Sequence, residues 1–364
     1  METLQMPIKI YTEKTADLFA NNASLNPIIN VLINEPTRLE HLKVGDARAT
    51  QFTLCNSIAE ADIYCLPMIW GHYLKNNLVH QASDAVHEAT AHNKPVIIFS
   101  QGDAPARLPF SGTHVFENST YKSNCNRDGN THYGYPAIIR DYKKLYSIEE
   151  LVFREKAARP SIGFCGQASD SIAEFLWHEL LRRYKKFRFD SGLSAYEPPP
   201  FETVMYRSKV LNTLKRYSQV DTNFILRKQY RAGNKPEVKN PAHPVRREFV
   251  QNILDTDYTV CMRGGGNYSV RFYETLCLGR IPIFVNTDCL LPFEDEIKYQ
   301  DYFVWVEESE INMIGEKVTQ YHEQFSVSEF FDAQQKCRNL WVEYFSTHGY
   351  FNKLTQLIQR IIKG

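Results

Sequence analysis

Apolar residues form short runs that alternate with stretches of helical periodicity in the first third of the chain. The runs cover residues 8–11, 28–33, 61–67 and 95–99, and the last of them is continuous and β-branched. A continuous run of this kind is typical of a strand buried on both faces of a parallel sheet. The pattern therefore predicts an α/β fold in which Asp103 lies in a loop at the carboxyl end of a central strand.

The alternation pauses and then begins again near residue 160. Residues 105–150 show little periodicity, and residues 148–158 are predicted to form a charged helix that stops before Pro160. Residues 161–166 are predicted to form a new strand, and a capped helix follows it. The apolar positions of this helix predict a face that packs against a core, and these positions are Ile172, Phe175, Leu176 and Leu180.

Length and pattern together predict two Rossmann-like domains. A chain of 364 residues is expected to hold about two domains at roughly 150 residues each. We predict a first domain over residues 1–158 and a second over residues 159–325, in which the proline-rich segment 191–247 forms loops around a cleft. Residues 326–364 are predicted to form helices that cross back to the first domain.

Composition argues against several classes of protein. Lysine plus arginine and aspartate plus glutamate number 42 each, so no net field attracts nucleic acid. No run approaches the ~18 apolar residues that a membrane span needs, which predicts a cytoplasmic protein without a span and leaves peripheral association open. The eight cysteines form no CxxC pair, so we predict reduced thiols and no structural zinc.

One strand, turn and helix unit in the C-terminal half points to a ligand. After a strand at 258–262, the turn consists of Arg263, Gly264, Gly265, Gly266 and Asn267. Ser269 is placed to cap the helix that follows, and Gly279 is placed to end it. Glycines let a ligand approach the main chain, and the N–H groups at a helix N-terminus attract anions. The unit therefore predicts a site for a phosphate group.

The helix of this unit carries two opposite charges, Arg271 and Glu274, three residues apart on one predicted open face. An ordinary surface ion pair is the simpler explanation of this spacing. The glycine turn favours a different one, in which Arg263 and Arg271 neutralise a diphosphate as it leaves a sugar carbon. Glu274 would then accept hydrogen bonds from ribose hydroxyls.

The same segment resembles the exostosin-like glycosyltransferases, glycosyltransferase family 47. That family has an Arg-Gly turn, a Ser-x-Arg-Phe-x-Glu helix, a Gly-x-x-Pro-Val strand and a Pro-Phe pair. The corresponding residues here are Arg263-Gly264, Ser269-Val270-Arg271-Phe272-Tyr273-Glu274, Gly279-Arg280-Ile281-Pro282-Ile283 and Leu291-Pro292-Phe293. Weaker similarity includes Gly163-Phe164-Cys165-Gly166, which places Gly166 among the donor-site candidates.

The resemblance implies a GT-B fold and an inverting glycosyltransferase. The donor is expected to be a UDP- or GDP-linked sugar bound by the second domain, and the acceptor a glycan or glycolipid hydroxyl bound by the first. No cofactor and no metal are expected, although Asp255-Thr256-Asp257 has the DxD spacing of metal sites in another glycosyltransferase fold. Animal members are membrane-anchored, so a bacterial or viral relative fits this sequence better.

Inversion requires a base, and Asp103 is the first choice because its loop is expected to face the cleft. His72 and His132 are alternatives, since histidine titrates near neutral pH. Each of the three residues is also compatible with a purely structural or surface role. Arg227 and Arg231 are candidates to reach the diphosphate from a neighbouring loop, and ordinary surface charge explains them equally well.

Three other functions remain to be distinguished. A nucleotide-sugar epimerase would share the scaffold and the diphosphate contacts, and a non-catalytic carbohydrate-binding protein is a candidate from a different class. A dinucleotide oxidoreductase fits poorly, because the turn lacks the third glycine of the GxGxxG pattern. Release of nucleoside diphosphate only when an acceptor is added would single out the transferase.

Overall fold

The computed structural model describes residues 6–13, 24–33, 51–125, 128–229, 233 and 240–364, and its first domain is built on a six-stranded sheet. All neighbouring strands are parallel, in the order β2-β1-β3-β4-β5-β6. The strands are β1 (Ile8–Tyr11), β2 (Phe52–Leu54), β3 (Ile63–Cys65), β4 (Val96–Ser100), β5 (His114–Glu117) and β6 (Thr131–Gly134). Strand β4 is buried along its whole length, as the continuous apolar run predicts.

The described helices of the first domain are α1 (Pro27–Ile33), α2 (Trp70–Lys75), α3 (Val79–Ala91) and α4 (Tyr142–Leu145). The prediction of a strand at 28–33 is wrong, because this run forms α1. A short apolar run fits a strand or a buried helix equally well. Here Asn26 accepts a hydrogen bond from the main-chain N–H of Ile28 at 3.0 Å, and Pro27 begins the helix, where its missing N–H costs nothing.

The second domain is built on a five-stranded parallel sheet in the order β11-β10-β9-β7-β8. The strands are β7 (Ser161–Gln167), β8 (Asp221–Arg227), β9 (Tyr258–Cys261), β10 (Ile281–Asn286) and β11 (Val304–Glu307). Counted from its own first strand, each sheet begins 2-1-3-4-5. The chain therefore moves first to one side and then crosses back, which is the doubly wound Rossmann-like arrangement.

The described helices of the second domain and the C-terminal region follow this sheet. They are α5 (Ile172–Asp190), α6 (Thr203–Arg216), α7 (Pro244–Leu254), α8 (Val270–Cys277), α9 (Ile314–Glu323), α10 (Val327–Leu340) and α11 (Thr347–Lys363). Segment 191–247 was predicted as loops, but it contains α6, β8 and the start of α7. Among the described helices, none combines the length and the apolar character needed to cross a bilayer.

The C-terminal helices pack back onto the first domain. The rings of Tyr135 and Tyr350 meet edge to face with centroids 5.4 Å apart, and Thr355 of α11 donates a hydrogen bond to Gln51 at 3.3 Å. These contacts complete two Rossmann-like α/β domains facing a cleft, with returning C-terminal helices. The predicted α/β class and GT-B architecture are confirmed.

The predicted charged helix at 148–158 is wrong, because this segment has no regular secondary structure. It crosses between the domains, and tertiary contacts replace the hydrogen bonds of a helix. The main-chain N–H of Arg154 donates to Gln334 Oε1 at 2.9 Å, and its Nε donates to buried Asp257 at 2.7 Å. Phe153 packs so closely on Gly279 that a Cβ there would lie 2.6 Å from the ring.

Candidate functional site

The candidate site lies where the strand order of the second sheet reverses, between the carboxyl ends of β7 and β9. Open α/β sheets bind ligands at such a point, because the loops of the two strands leave in opposite directions and open a crevice. Arg207 of α6 joins the two strand ends. Its Nη1 donates to Gln167 O at 2.5 Å and its Nη2 donates to Arg263 O at 3.0 Å.

Arg263 lies two residues after the end of β9 and is buried, with 2% of its surface exposed. Among the residues that the structure describes, its Nε and Nη1 have no hydrogen-bond partner. Its Cζ lies 5.4 Å from the ring centroids of both Tyr121 and Phe201. Burial raises the pKa of the Tyr121 hydroxyl, and the charge of Arg263 partly offsets this rise. Buried guanidinium groups are normally paired, so this one is expected to meet an anion from outside the chain.

The glycine turn provides space rather than an unusual backbone conformation, since none of its three glycines has a positive φ. A Cβ added at Gly264 would meet nothing within 4 Å. At Gly265 it would lie 3.3 Å from Asp103 Oδ2, and at Gly266 it would lie 2.5 Å from Ser119 Oγ. The turn is therefore open at Gly264 and tightly packed against the first domain at Gly266.

Asp103 reaches this turn from the first domain, as its position after β4 predicts. Tyr268 donates a hydrogen bond to Asp103 Oδ1 at 3.3 Å, and the Ser119 hydroxyl holds the same loop by donating to Gly102 O. The side chain of Asp103 is exposed. The structure thus brings a solvent-accessible carboxylate against the glycine turn, whereas its role as a base stays a prediction.

Arg271 and Glu274 do not share an open face, and that prediction is wrong. Arg271 lies against β7, where its Nη2 donates to Cys165 O at 2.8 Å and its Cζ stands 4.2 Å from the Phe164 ring centroid. A Cβ at Gly166 would lie 2.7 Å from this Nη2, so glycine lets the guanidinium reach the strand end. Arg271 remains beside the crevice, but its guanidinium also serves to join β7 to α8.

Glu274 is buried in α8 and belongs to a cluster of polar side chains from three helices. Its Oε1 accepts a hydrogen bond from the Tyr142 hydroxyl and lies 3.6 Å from Arg246 Nη2. Arg246 also donates to the Tyr142 hydroxyl at 2.7 Å. Burial, with the charge of Glu274, raises the pKa of Tyr142 well above its ordinary value. The simple surface ion pair is therefore excluded for Glu274.

Asn267 and Ser269 have structural surroundings rather than the exposed positions expected of ligand contacts. The Asn267 amide donates to Thr120 O at 3.2 Å and to Asp288 O at 3.1 Å, and its Oδ1 accepts from the Thr287 hydroxyl at 2.7 Å. Asn267 thus links the turn to both domains by hydrogen bonds. Ser269 stands at the N-cap position of α8, but its side chain makes no capping hydrogen bond, contrary to the prediction.

Both alternative histidines lie in regular secondary structure. His72 is buried in the first turn of α2, where its Nδ1 lies 3.3 Å from Asn76 Nδ2. His132 lies in β6 between Glu117 at 2.5 Å and Asp128 at 3.0 Å. Burial lowers the pKa of His132, but these carboxylates outweigh burial and raise it to about 8. The two carboxylates give His132 a structural explanation, and its role as a base stays a prediction.

Of the remaining candidates, Arg227 and the DxD aspartate Asp257 have structural partners, and Arg231 is not among the described residues. Arg227, at the end of β8, forms an ion pair with Glu248 and lies 3.4 Å from Cys165 Sγ. Arg231 lies outside the described residues. The DxD aspartate Asp257 is buried, and its Oδ2 accepts from the main-chain N–H of Ser161 at 2.9 Å. With Arg154 on its other oxygen, this carboxylate is already engaged and the metal-site alternative loses its support.

Sequence reasoning missed Arg207, Arg246 and Tyr142 as parts of the site. Arg207 belongs to α6, and the helical spacing of Val210, Leu211 and Leu214, all buried, is the signal that could have revealed this helix. No local pattern predicts that Arg246 and Tyr142 meet at Glu274, because the three residues come together only when α4, α7 and α8 pack.

No protein-family model and no curated protein matches this sequence. The exostosin resemblance therefore stays a prediction. Solved structures with a similar chain course include a mutant of TarM from S. aureus in complex with fondaparinux, alpha-GlcNAc-glycerol and UDP. It has 11% identity and a TM-score of 0.37, and the match covers 81% of this chain and 55% of TarM.

Two further structures match at a comparable level. The GtfA/B complex has 9% identity and a TM-score of 0.40, with 84% of this chain and 58% of that chain covered. The catalytic domain of starch synthase IV from Arabidopsis thaliana, bound to ADP and acarbose, has 13% identity and a TM-score of 0.29, with 92% and 62% covered. The match thus spans less than two thirds of each neighbour's length, and similarity this low carries no conclusion about the ligands of this protein.

Proposed function

We propose that this chain is an inverting glycosyltransferase that moves a sugar from a nucleoside-diphosphate sugar to a hydroxyl group of a glycan or glycolipid. One observation carries the proposal, namely that buried Arg263 has two nitrogens without partners in the described structure. Leaving a buried charged donor unsatisfied costs more than the ~1–3 kcal/mol of a neutral group. The oxygens of a diphosphate match the planar fork of a guanidinium and would remove this cost.

The surroundings of Arg263 favour a phosphate group over a smaller anion. Gly264 leaves open space beside the main chain, and the N-terminus of α8 follows within the same loop. Oriented N–H groups and the helix dipole favour phosphate at such a turn. Arg207 and Arg271 add two further positive charges at the ends of β7 and β9. In this proposal the arginines supply the charge that a divalent metal supplies in other transferases.

The position of Asp103 favours transfer over binding alone. As the acceptor oxygen attacks the anomeric carbon, its proton passes to the Asp103 carboxylate. The bond between that carbon and the diphosphate oxygen breaks, and the electron pair leaves with the nucleoside diphosphate, where Arg263 stabilises the added charge. Direct displacement from the side opposite the leaving group inverts the anomeric carbon. The first domain then binds the acceptor and the second the donor.

We assign the nucleoside to the side of the crevice formed by α8. Tyr142 and Arg246 hold Oε1 of Glu274 from one side. In this proposal Oε2 accepts hydrogen bonds from the ribose hydroxyls, so Glu274 keeps the role predicted for it although it does not lie on an open face. Uridine and guanosine diphosphate sugars are the donors to examine first.

The test measures nucleotide binding by thermal unfolding with UDP and with GDP. A nucleotide present at about 100 times its Kd stabilises the protein by ~2.7 kcal/mol. We expect Arg263→Met to remove this shift while the ligand-free protein unfolds at the same or a higher temperature, because a buried charge with two unsatisfied N–H donors is gone. The control is Arg216→Met, which changes an exposed arginine at the end of α6.

An activity assay then separates the candidate functions. Release of nucleoside diphosphate that requires an added acceptor supports transfer. An altered sugar that stays attached to its nucleotide would indicate an epimerase, and an unaltered donor with carbohydrate binding would indicate a binding protein. A full nucleotide shift in Arg263→Met would remove the observation on which the proposal rests.

A further inference from the structure

Helix α5 has no buried residue along its 19 positions, although it is rich in large apolar side chains. Five of these side chains have closely similar exposed fractions, namely Leu176 at 61%, Trp177 at 60%, Leu180 at 60%, Tyr184 at 59% and Phe187 at 63%. Exposed apolar residues that occur singly are ordinary on a protein surface, but a contiguous group marks an interaction site.

These five residues form one stripe. At about 100° per residue they fall within an arc of roughly 100° on the helix surface. The opposite side of α5 faces the protein, where the Phe189 ring lies 3.9 Å from Arg107 Cζ and His178 Nδ1 lies 3.3 Å from Glu202. The sequence-based prediction that this helix packs Ile172, Leu176 and Leu180 against a core is therefore wrong, because the stripe points away from the protein.

Basic residues border the stripe. By the same angular spacing, Arg183 and Arg188 flank it on its two sides. Helix α5 carries five basic and three acidic residues, whereas the whole chain has no net charge. Glu179 forms ion pairs with Arg182 and Arg183, and Asp190 forms one with Lys186. The basic residues are Arg182, Arg183, Lys185, Lys186 and Arg188. Long basic side chains beside an apolar stripe can reach anionic headgroups while their stems cover apolar surface.

From this arrangement we infer that α5 docks on the surface of an anionic phospholipid bilayer, with the stripe at the boundary between headgroups and acyl chains. A second copy of the chain is the alternative occupant, and the experiment below distinguishes it from a bilayer. The segment after α5 contacts the first domain near Asp103, with the N–H of Arg107 donating to Ala195 O at 3.0 Å. Docking therefore brings the cleft beside the lipid, and it does not depend on the proposed transfer reaction.

The experiment is co-sedimentation of the full chain with vesicles of phosphatidylcholine and phosphatidylglycerol in equal parts, compared with phosphatidylcholine alone. We expect binding to the anionic vesicles that weakens at high salt. The triple variant Leu176→Ser, Leu180→Ser and Phe187→Ser should partition at least about tenfold less, since three apolar side chains no longer enter the bilayer. These positions are exposed, so folding is retained, and circular dichroism checks it.

Two controls sharpen the result. Val342→Ser removes an exposed apolar residue outside α5 and should bind vesicles like the unmodified protein. Trp177 fluorescence should shift to shorter wavelength on anionic vesicles, because Trp70 and Trp341 are buried and Trp305 is half-buried in β11. Trp177→Phe should remove the shift, which shows that Trp305 does not cause it. Equal vesicle binding by the triple variant would overturn the inference. A lipid-free dimer that the triple variant dissociates, without vesicle binding, would overturn it in favour of self-association.

Discussion

The two sheets share their strand order but differ at the point where it reverses. Between β1 and β3 of the first sheet, the chain itself occupies the strand end. Asn26 donates from Nδ2 to Leu66 O at 3.0 Å and from its main-chain N–H to Pro67 O at 2.9 Å. Between β7 and β9 of the second sheet, Gly264 faces open space and Arg263 keeps donors without partners among the described residues.

This difference shows that topology creates a crevice, whereas the side chains at the strand ends decide whether it is a ligand site. At the first crevice Asn26 meets carbonyl groups that would otherwise be unsatisfied. At the second crevice the unsatisfied groups are N–H donors of the Arg263 guanidinium. Such donors favour an anion with several acceptor oxygens. The first sheet contributes instead from β4, through the loop of Asp103.

The largest expected effect is on turnover, and it tests whether the first sheet supplies the base while the second sheet binds the nucleotide. Asp103→Asn should lower the turnover of the proposed transfer by about 10²–10⁴, because the amide cannot take the acceptor proton. Nucleotide binding, followed by thermal shift with UDP and GDP, should persist because the arginines of the second domain are unchanged. Asp84→Asn, on the exposed side of α3, is the matched control. Unchanged turnover in Asp103→Asn would show that the first sheet supplies no base here.

The glycine turn allows a finer test of the second crevice. A methyl group at Gly266 would meet Ser119 Oγ at 2.5 Å and Tyr268 Cε1 at 2.6 Å. Gly266→Ala should therefore lower the free energy of unfolding by ~1–3 kcal/mol, measured by urea denaturation. Gly264→Ala, which meets nothing, should leave stability unchanged and weaken nucleotide binding, since its methyl group enters the proposed phosphate space. Unaltered nucleotide affinity in Gly264→Ala would place the ligand elsewhere.

The smallest expected effect is a change in the pH dependence of stability, and it tests whether His132 has a structural role rather than a role in ligand binding. Because its pKa is raised to about 8 in the folded protein, His132 contributes stability fully below its ordinary pKa near 6.5, and this contribution is lost as the pH rises through 8. After allowance for solvent screening we expect on the order of 1 kcal/mol. His132→Gln should flatten the pH profile of unfolding between these limits, whereas exposed His87→Gln should not. If nucleotide binding changed over the same pH range, His132 would not have a purely structural role.

The part of the site formed by consecutive residues could be predicted from the sequence. Strand β9, the glycine turn and helix α8 were expected to within about one residue, because a continuous apolar run, three glycines and Gly279 act over a few positions. Gly279 has φ 63°, a left-handed conformation that glycine adopts without strain, and it ends the helix as predicted. Asp103 was found through the same local reasoning applied to β4.

The rest depends on contacts between distant residues. Glu274 was expected on an open face, but Tyr142 reaches it from 132 positions away and Arg246 from α7. The direction in which α5 turns its apolar stripe was likewise undetermined. Periodicity defines which side chains share a face, because helix geometry is local. Which face meets the core, a ligand or solvent was decided by the tertiary structure, because burial and pairing depend on what packs alongside.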